Sequence, residues 1–210
     1  MVQRIEHKKV IGIVDYGMGN LRSVYNAFIS LGADTKIIQS APEMDNVTHL
    51  VIPGVGAFAK AMENLRGKEL EGPIKEFSKT GKPVLGICLG MQLMGTEGFE
   101  IEHSTGLDLI KGSVKKLEAA ADIRIPHVGW NSIQLTEDHY LFEGIKKMVD
   151  FYFVHSFYFD AKHDENILAY CSYGMNFPAI VYDKNIVGIQ FHPEKSQKNG
   201  LKILENFANN

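Results

Sequence analysis

Cys88 stands in Gly86-Ile87-Cys88-Leu89-Gly90, closing the apolar run Pro83 to Cys88 and preceding helix-forming Met91-Gln92-Leu93-Met94. A thiol flanked by glycines two residues away on either side is the nucleophile elbow of Gly-x-nucleophile-x-Gly form, with cysteine in place of serine. The sharp strand-to-helix turn brings neighbouring backbone close, which leaves no room for side chains at the glycine positions. A helix beginning behind the sulfur would offer free N–H groups and a partial positive charge, favouring both thiolate and oxyanion. The competing reading of this residue alone is a buried structural cysteine at a strand end.

A nucleophilic cysteine needs a base, and Gly188-Ile189-Gln190-Phe191-His192-Pro193-Glu194 supplies one at a strand exit. Residues i and i+2 of an extended segment point the same way, so Glu194 can lie beside His192 and orient its imidazole. Pro193 cannot donate to a sheet ladder, which puts His192 at the strand's end, where α/β folds carry their sites. Taken alone, His-x-Glu is also what a solvated strand exit looks like. Pro53-Gly54-Val55-Gly56 follows the short apolar run His49 to Ile52. Its glycines let backbone N–H groups turn toward developing negative charge beside the N–H of Leu89, although an ordinary loop has the same composition.

The elements that must carry these groups follow from the apolar pattern. Val10 to Asp15 is a strand ended by Tyr16-Gly17-Met18-Gly19-Asn20, after which Leu21, Val24, Ala27, Phe28 and Leu31 recur at helical spacing. Strands are also predicted over Thr35 to Gln39, His49 to Ile52 and Pro83 to Cys88. Near-continuous apolar strands alternating with helices imply a parallel sheet covered on both faces. In the second half, Phe151 to Phe159, Ile167 to Ser172, Ala179 to Tyr182 and Ile186 to Phe191 follow one another without helices, which predicts added antiparallel strands. A closing helix is expected from about Lys198 to Ala208. No linker or repeat divides the sequence, so residues 1–210 are read as one α/β domain.

With 45% apolar residues among 210, the chain can bury a sizeable core. The formal net charge of -3 gives no global basic field for a nucleic-acid backbone. No run reaches the roughly 18 apolar residues of a membrane span, and Met1 to Lys9 is polar, so no membrane partner and a cytoplasmic location are expected. Cys88 and Cys171 are too few for a disulfide framework or a zinc site, and no metal or cofactor is anticipated.

GICLGMQ around Cys88, PGVGAF from Pro53 and QFHPEKS from Gln190 resemble the class I glutamine amidotransferases, whose triad is Cys, His and Glu. DYGMGNLRSV from Asp15, PHVGWN from Pro126 and YFVHSFY from Tyr152 look like one branch of that family, the glutaminase subunits of imidazole glycerol phosphate synthases. The likeness runs from about Val10 to Phe207, with the motifs in the family order. It implies the family's three-layer α/β fold and a reaction on L-glutamine. Cys88 would attack the carboxamide, His192 would move the proton to leaving ammonia, and Glu194 would hold His192. Gly54, Val55 and Leu89 would frame the oxyanion. Gln92, one helical turn beyond Cys88, would help bind glutamine, and Ser156 and Phe157 would contact its amino-acid end through backbone. Many members carry Ser-Glu-Glu where this chain has Gly98-Phe99-Glu100, and Glu100 is assigned to the substrate ammonium by spacing. The resemblance also implies a heterodimer with a (β/α)8-barrel cyclase, with Asn20, Trp130 and Tyr152 at the partner face near the ammonia exit.

The remaining features have plainer readings. Gly17-Met18-Gly19 opens a helix as a dinucleotide loop would, but Arg22 stands where the third glycine belongs. Trp130 and Tyr152 could instead be core aromatics. Cys171 lacks an elbow and is read as a packed thiol. His49, His103, His127, His139, His155 and His163 show no metal-ligand spacing and are read as structural or solvated. Ser196-Gln197 after the HPE triplet differs from the Ser-Ser of many histidine-pathway members, so a glutaminase feeding an amidotransferase of bacterial surface sugars stays open. A binding module with a dead site is the third possibility.

Overall fold

The computed structural model describes residues 9–118, 123–146 and 149–210; all but the last residue of the polar stretch Met1 to Lys9 lies outside them. In chain order the strands are β1 (Val10–Val14), β2 (Asp34–Ile38), β3 (His49–Ile52), β4 (Val84–Ile87), β5 (Glu97–Gly98), β6 (Ser104–Thr105) and β7 (Gly112–Lys116). They continue as β8 (His127–Leu135), β9 (Asp150–His155), β10 (Phe157–Ala161), β11 (Ile167–Ser172), β12 (Asn176–Asp183) and β13 (Ile186–Ile189). The helices are α1 (Leu21–Ser30), the single turn α2 (Ala41–Met44), α3 (Phe58–Gly67), α4 (Glu71–Lys79), α5 (Leu89–Leu93) and α6 (Gln197–Asn209).

The main sheet has nine strands in the order β2-β1-β3-β4-β13-β12-β11-β8-β9. From β2 to β13 every pairing is parallel, and from β13 to β9 every pairing is antiparallel. A parallel core with antiparallel strands added at one side is therefore what the chain forms. Alternate strand residues feed two separate apolar layers, as the period of two requires. Ile11, Ile13, Val51, Leu85 and Ile87 pack on the side of Phe28 from α1 and Ile203 and Phe207 from α6. Val14, Leu50, Ile52 and Val84 pack against Phe58 and Leu65 of α3, Ile74 of α4 and Met91 of α5.

Two expectations need correction. Phe151 to Phe159 is not one strand: β9 ends at His155, and β10 starts at Phe157 in a second, four-stranded sheet ordered β10-β7-β5-β6. Ser156 is the crossover, its carbonyl accepting from Leu117 N–H at 2.9 Å, and the run hides it because every neighbour is a strand former. The helix behind Cys88 is only five residues long, so its macrodipole is small and the sulfur depends more on individual donors. The closing helix runs one residue further at each end than predicted.

Candidate active site

Asp15 to Asn20, Pro53 to Gly56, Cys88 and Gln190 to Glu194 follow β1, β3, β4 and β13, so they gather at the carboxyl edge of the parallel strands. Chain reversal on either side of β1 makes the crevice there.

Cys88 has φ 53° and ψ -108°, a conformation costly for a side-chain-bearing residue. Its neighbours enforce it. Cys88 N–H donates to Ile189 O at 2.7 Å, ending the ladder between β4 and β13, while Cys88 O accepts from Gln92 N–H at 3.2 Å, starting α5. Gly90 is required because a Cβ there would sit 1.8 Å from Ile52 O. Gly54 is boxed in likewise, its imagined Cβ 2.7 Å from Tyr16 Oη and 2.8 Å from Gly90 N. The thiol is thus pushed out at the junction and is 6% exposed.

His192 lies 1% exposed, with Nδ1 2.8 Å from Glu194 Oε1. A carboxylate can only accept, so Nδ1 carries the proton and Nε2 is left facing Cys88 without a hydrogen-bond partner. Burial disfavours the imidazolium, but the Cys88 sulfur and Glu194 carboxylate beside it outweigh that and hold its pKa up at about 9. Glu194 Oε1 also accepts from Asn20 Nδ2 at 3.1 Å. Asn20, expected at a partner face, therefore has its amide spent on Glu194, a role that a separation of 174 residues hides in sequence. Ser196, to which no local sequence pattern gives a role at the site, is hidden in the same way. Its Oγ donates to His192 O at 2.7 Å and accepts from Tyr152 N–H at 2.9 Å, which fastens the His192 backbone to β9.

Val55, Cys88, Leu89, Gln92, Glu100, Ser156 and Phe157 all line one cavity of about 480 Å³. Two of these are partly committed within the protein. Glu100 Oε2 accepts the Phe58 N–H at 2.6 Å, capping α3, so the carboxylate expected for a substrate ammonium also holds its own loop. Gln92 Nε2 donates to Phe157 O at 2.9 Å and to Gln190 Oε1 at 3.1 Å. Tyr16, which the sequence did not single out, donates to Pro53 O at 2.7 Å and fixes the start of the glycine loop. Burial first, and Cys88 second, push its phenol pKa well up, so it stays protonated.

Trp130 is 48% exposed and meets Tyr152 edge-on at 5.9 Å, so it is not a core aromatic. A larger cavity of about 650 Å³ runs along Asn131 to Asp138 and Tyr170 to Ser172, apart from Cys88. Its thiol, Cys171, is buried and pushed up to about 12, which suits packing and not nucleophilic attack. Among the described residues no group of three potential ligands could hold a metal ion, and no helix is long and apolar enough to cross a membrane.

A buried imidazole, tied to a carboxylate and facing a thiol on a strained elbow beside a cavity, is equipped for acyl transfer from an amide. Comparison with known proteins agrees with that class. The profile of the glutamine amidotransferase class-I family matches residues 12–210. The chain is 46% identical over 202 residues to the imidazole glycerol phosphate synthase subunit HisH of Methanosarcina barkeri, covering 95% of this chain and 98% of that one. To the same-named subunit of Moorella thermoacetica it is 44% identical, covering 94% and 93%. In fold it is similar to PurLQS from Thermotoga maritima, with TM-score 0.77, 18% identity and coverage of 97% and 99%. The chain belongs to the class I glutamine amidotransferases and, within them, to the family of imidazole glycerol phosphate synthase HisH subunits.

Proposed function

We propose that the chain is the glutaminase subunit of imidazole glycerol phosphate synthase, hydrolysing L-glutamine to glutamate and ammonia through Cys88, His192 and Glu194. The observation that carries this reading is the strained elbow at Cys88, whose sulfur opens onto the cavity while His192 stands behind it. Cys88 attacks the carboxamide carbon as the thiolate, its proton already carried by His192 Nε2 in the imidazolium that the sulfur and Glu194 sustain. The tetrahedral oxyanion forms near the backbone of Gly54, Val55 and Leu89, where one good donor is worth roughly 2.7–4 kcal/mol. His192 returns the proton to departing ammonia, leaving a glutamyl thioester, and water activated by the same imidazole releases glutamate. Asn20 and Glu194 hold the ring throughout.

The ammonia passes to a separate (β/α)8-barrel cyclase, with which the chain forms a cytoplasmic heterodimer. There it joins a phosphoribulosyl formimino carboxamide ribonucleotide, giving imidazole glycerol phosphate and an aminoimidazole carboxamide ribonucleotide. The kinship with HisH subunits favours this acceptor over a surface sugar. The residue that departs from Ser-Ser is Gln197, while Ser196, common to both patterns, braces His192, a task indifferent to the acceptor.

The test is Cys88→Ala. We expect it to lose glutamine-dependent synthesis with the cyclase while retaining synthesis from added ammonium salts. Sustained glutamine-driven turnover by the purified variant would overturn the assignment.

A further inference from the structure

Gln190 is 0% exposed, two residues before His192, and the mechanism above gives it no task. Its side chain lies between Gln92 and the nucleophile. Gln190 Oε1 accepts from Gln92 Nε2 at 3.1 Å, and Gln190 Nε2 lies 3.7 Å from Cys88 Sγ. Which end of an amide points where must be argued from partners, and here one backbone carbonyl decides it. Phe157 O can only accept. The Gln92 atom 2.9 Å from it is therefore the nitrogen, so the Gln190 atom facing that nitrogen is the oxygen, and the Gln190 nitrogen is left to the sulfur.

The carbonyl itself is fully occupied. Its second lone pair takes His155 Nδ1 at 2.8 Å, and His155 Nε2 lies 3.1 Å from His127 Nδ1. Burial pushes both imidazoles down, to about 3 for His155 and about 4 for His127, so both are neutral at ordinary pH. His155 thus donates from Nδ1 and accepts at Nε2, and His127 donates from Nδ1. Stacking of His127 on Phe153 and Tyr173, with ring centroids 4.8 Å and 3.9 Å away, holds the far end still.

We infer that Gln190 is a further catalytic residue, its amide donating to the Cys88 sulfur, and that Gln92 is the positioning residue that fixes which end of that amide faces the sulfur. The inference rests on Cys88 being the nucleophile. A donor in this place favours the thiolate, because hydrogen bonds to a charged acceptor are the strong ones. It supplies what the five-residue α5 provides only weakly. A further polar contact of the sulfur, Val154 O at 3.9 Å, suits the thiol and opposes the thiolate, so Gln190 works against it. The titratable groups facing the sulfur are His192 from the β13 exit and Tyr16 beyond β1, and the variants below leave both in place.

The measurement is the pH dependence of Cys88 alkylation by iodoacetamide in the full chain, followed by mass spectrometry of the Cys88 peptide. Buried Cys171 staying unmodified reports that each variant is folded. Gln190→Met keeps the volume and removes the donor, and should raise the midpoint by roughly one pH unit, or about tenfold less thiolate below it. Gln190→Glu still accepts from Gln92 but brings a negative charge to the sulfur, and should raise it further. Gln92→Met, which leaves the Gln190 amide unanchored, should raise it less. Midpoints matching the unmodified chain in both Gln190 variants overturn the inference. If neither variant folds, the side-chain amide signals of Gln190 in the unmodified chain decide by NMR: they should move with the sulfur's titration, and immobility overturns the inference. Cys88→Ala run in parallel separates the two readings. Glutaminase activity in Cys88→Ala removes the nucleophile itself, whereas a dead Cys88→Ala with unmoved Gln190 midpoints removes only the amide's role.

Discussion

Cys88 and His192 are individually uncomfortable, one in a strained backbone conformation and the other a charged ring that is almost fully buried, and the Cys88 sulfur offsets part of the cost of burying that charge. The imidazolium is kept by the sulfur and by Glu194, which sets a sign for its pH dependence. Its pKa is raised from an unfolded value near 6.5 to about 9, so its contribution to stability is complete below roughly pH 6.5 and is lost as pH rises through about 9. We expect the melting-temperature gap between the chain and His192→Asn to narrow steadily over that window. A gap that widened with pH would contradict the ion pair. In Cys88→Ala, where the sulfur is gone, the His192 titration followed by NMR should fall below 9. At this scale the sequence told the types and not the contacts. Cys88, His192 and Glu194 were legible because elbow and strand exit are local patterns. Asn20 on Glu194, Tyr16 on Pro53 and Gln190 on Cys88 join residues far apart in the chain, and a glutamine at a strand end carries no signal of which atom it serves.

The elements succeed where apolar periodicity is long and fail where it is short. β3 is legible in the sequence to the residue and the other parallel strands to within one or two, since buried parallel strands are continuous apolar runs. β5 and β6 have two residues each, too few for any period, so the four-stranded sheet was not legible. The break at Ser156 was masked by β-forming neighbours, yet it puts Phe157 O where Gln92 and His155 can reach it. Among the glycines, the closest approach of backbone is that of β3 to α5 at Gly90. A methyl group there would meet Ile52 O at 1.8 Å, and the obstacle is backbone that cannot rotate aside. Gly90→Ala should therefore cost at least the roughly 1–3 kcal/mol of an overpacked core site, seen as a lowered chemical-denaturation midpoint. Full stability in that variant would mean that the elbow has room for a methyl group. β8 makes the opposite kind of prediction, because Val128 and Trp130 share a face and are 54% and 48% exposed. If that face meets the cyclase, Trp130→Ala should weaken the complex about tenfold or more by calorimetry, as loss of an aromatic anchor does. Unchanged affinity would move the interface elsewhere.

At the scale of the whole molecule, the site opens beside an exposed apolar rim, and this bears on how the enzyme is controlled. Val55, 40% exposed, edges the Cys88 cavity, and Pro126 lines the same cavity two residues before Val128. A partner covering this rim would touch the glycine loop directly. The loop is anchored at both ends, by Tyr16 at Pro53 and by Glu100 at Phe58 N–H, and is open between them. Tyr16 Oη holds the Pro53 carbonyl at 2.7 Å and Gly54 is packed against Leu89 and Gly90, whereas Val55 is open to solvent and Gly56 has φ +113°, reached at no steric cost only by glycine. Exposed Val55 between two glycines leads us to expect a mobile peptide between Gly54 and Val55, whose N–H would either point at the oxyanion or turn away. Losing one such donor lowers the rate about a hundred- to a thousandfold, enough to separate an idle state from a working one. A partner can shift that balance only as far as it binds one loop state better than the other. We therefore expect a low glutaminase kcat for the chain alone, a rise with the cyclase, and a further rise when the cyclase carries its acceptor, with most of the change in kcat and little in KM. Steady-state kinetics under the three conditions measure it. Equal values throughout would rule out the switch, and a gain of only a few fold would be too small for the loss of an oxyanion donor, leaving the Gly54–Val55 peptide without a part in control.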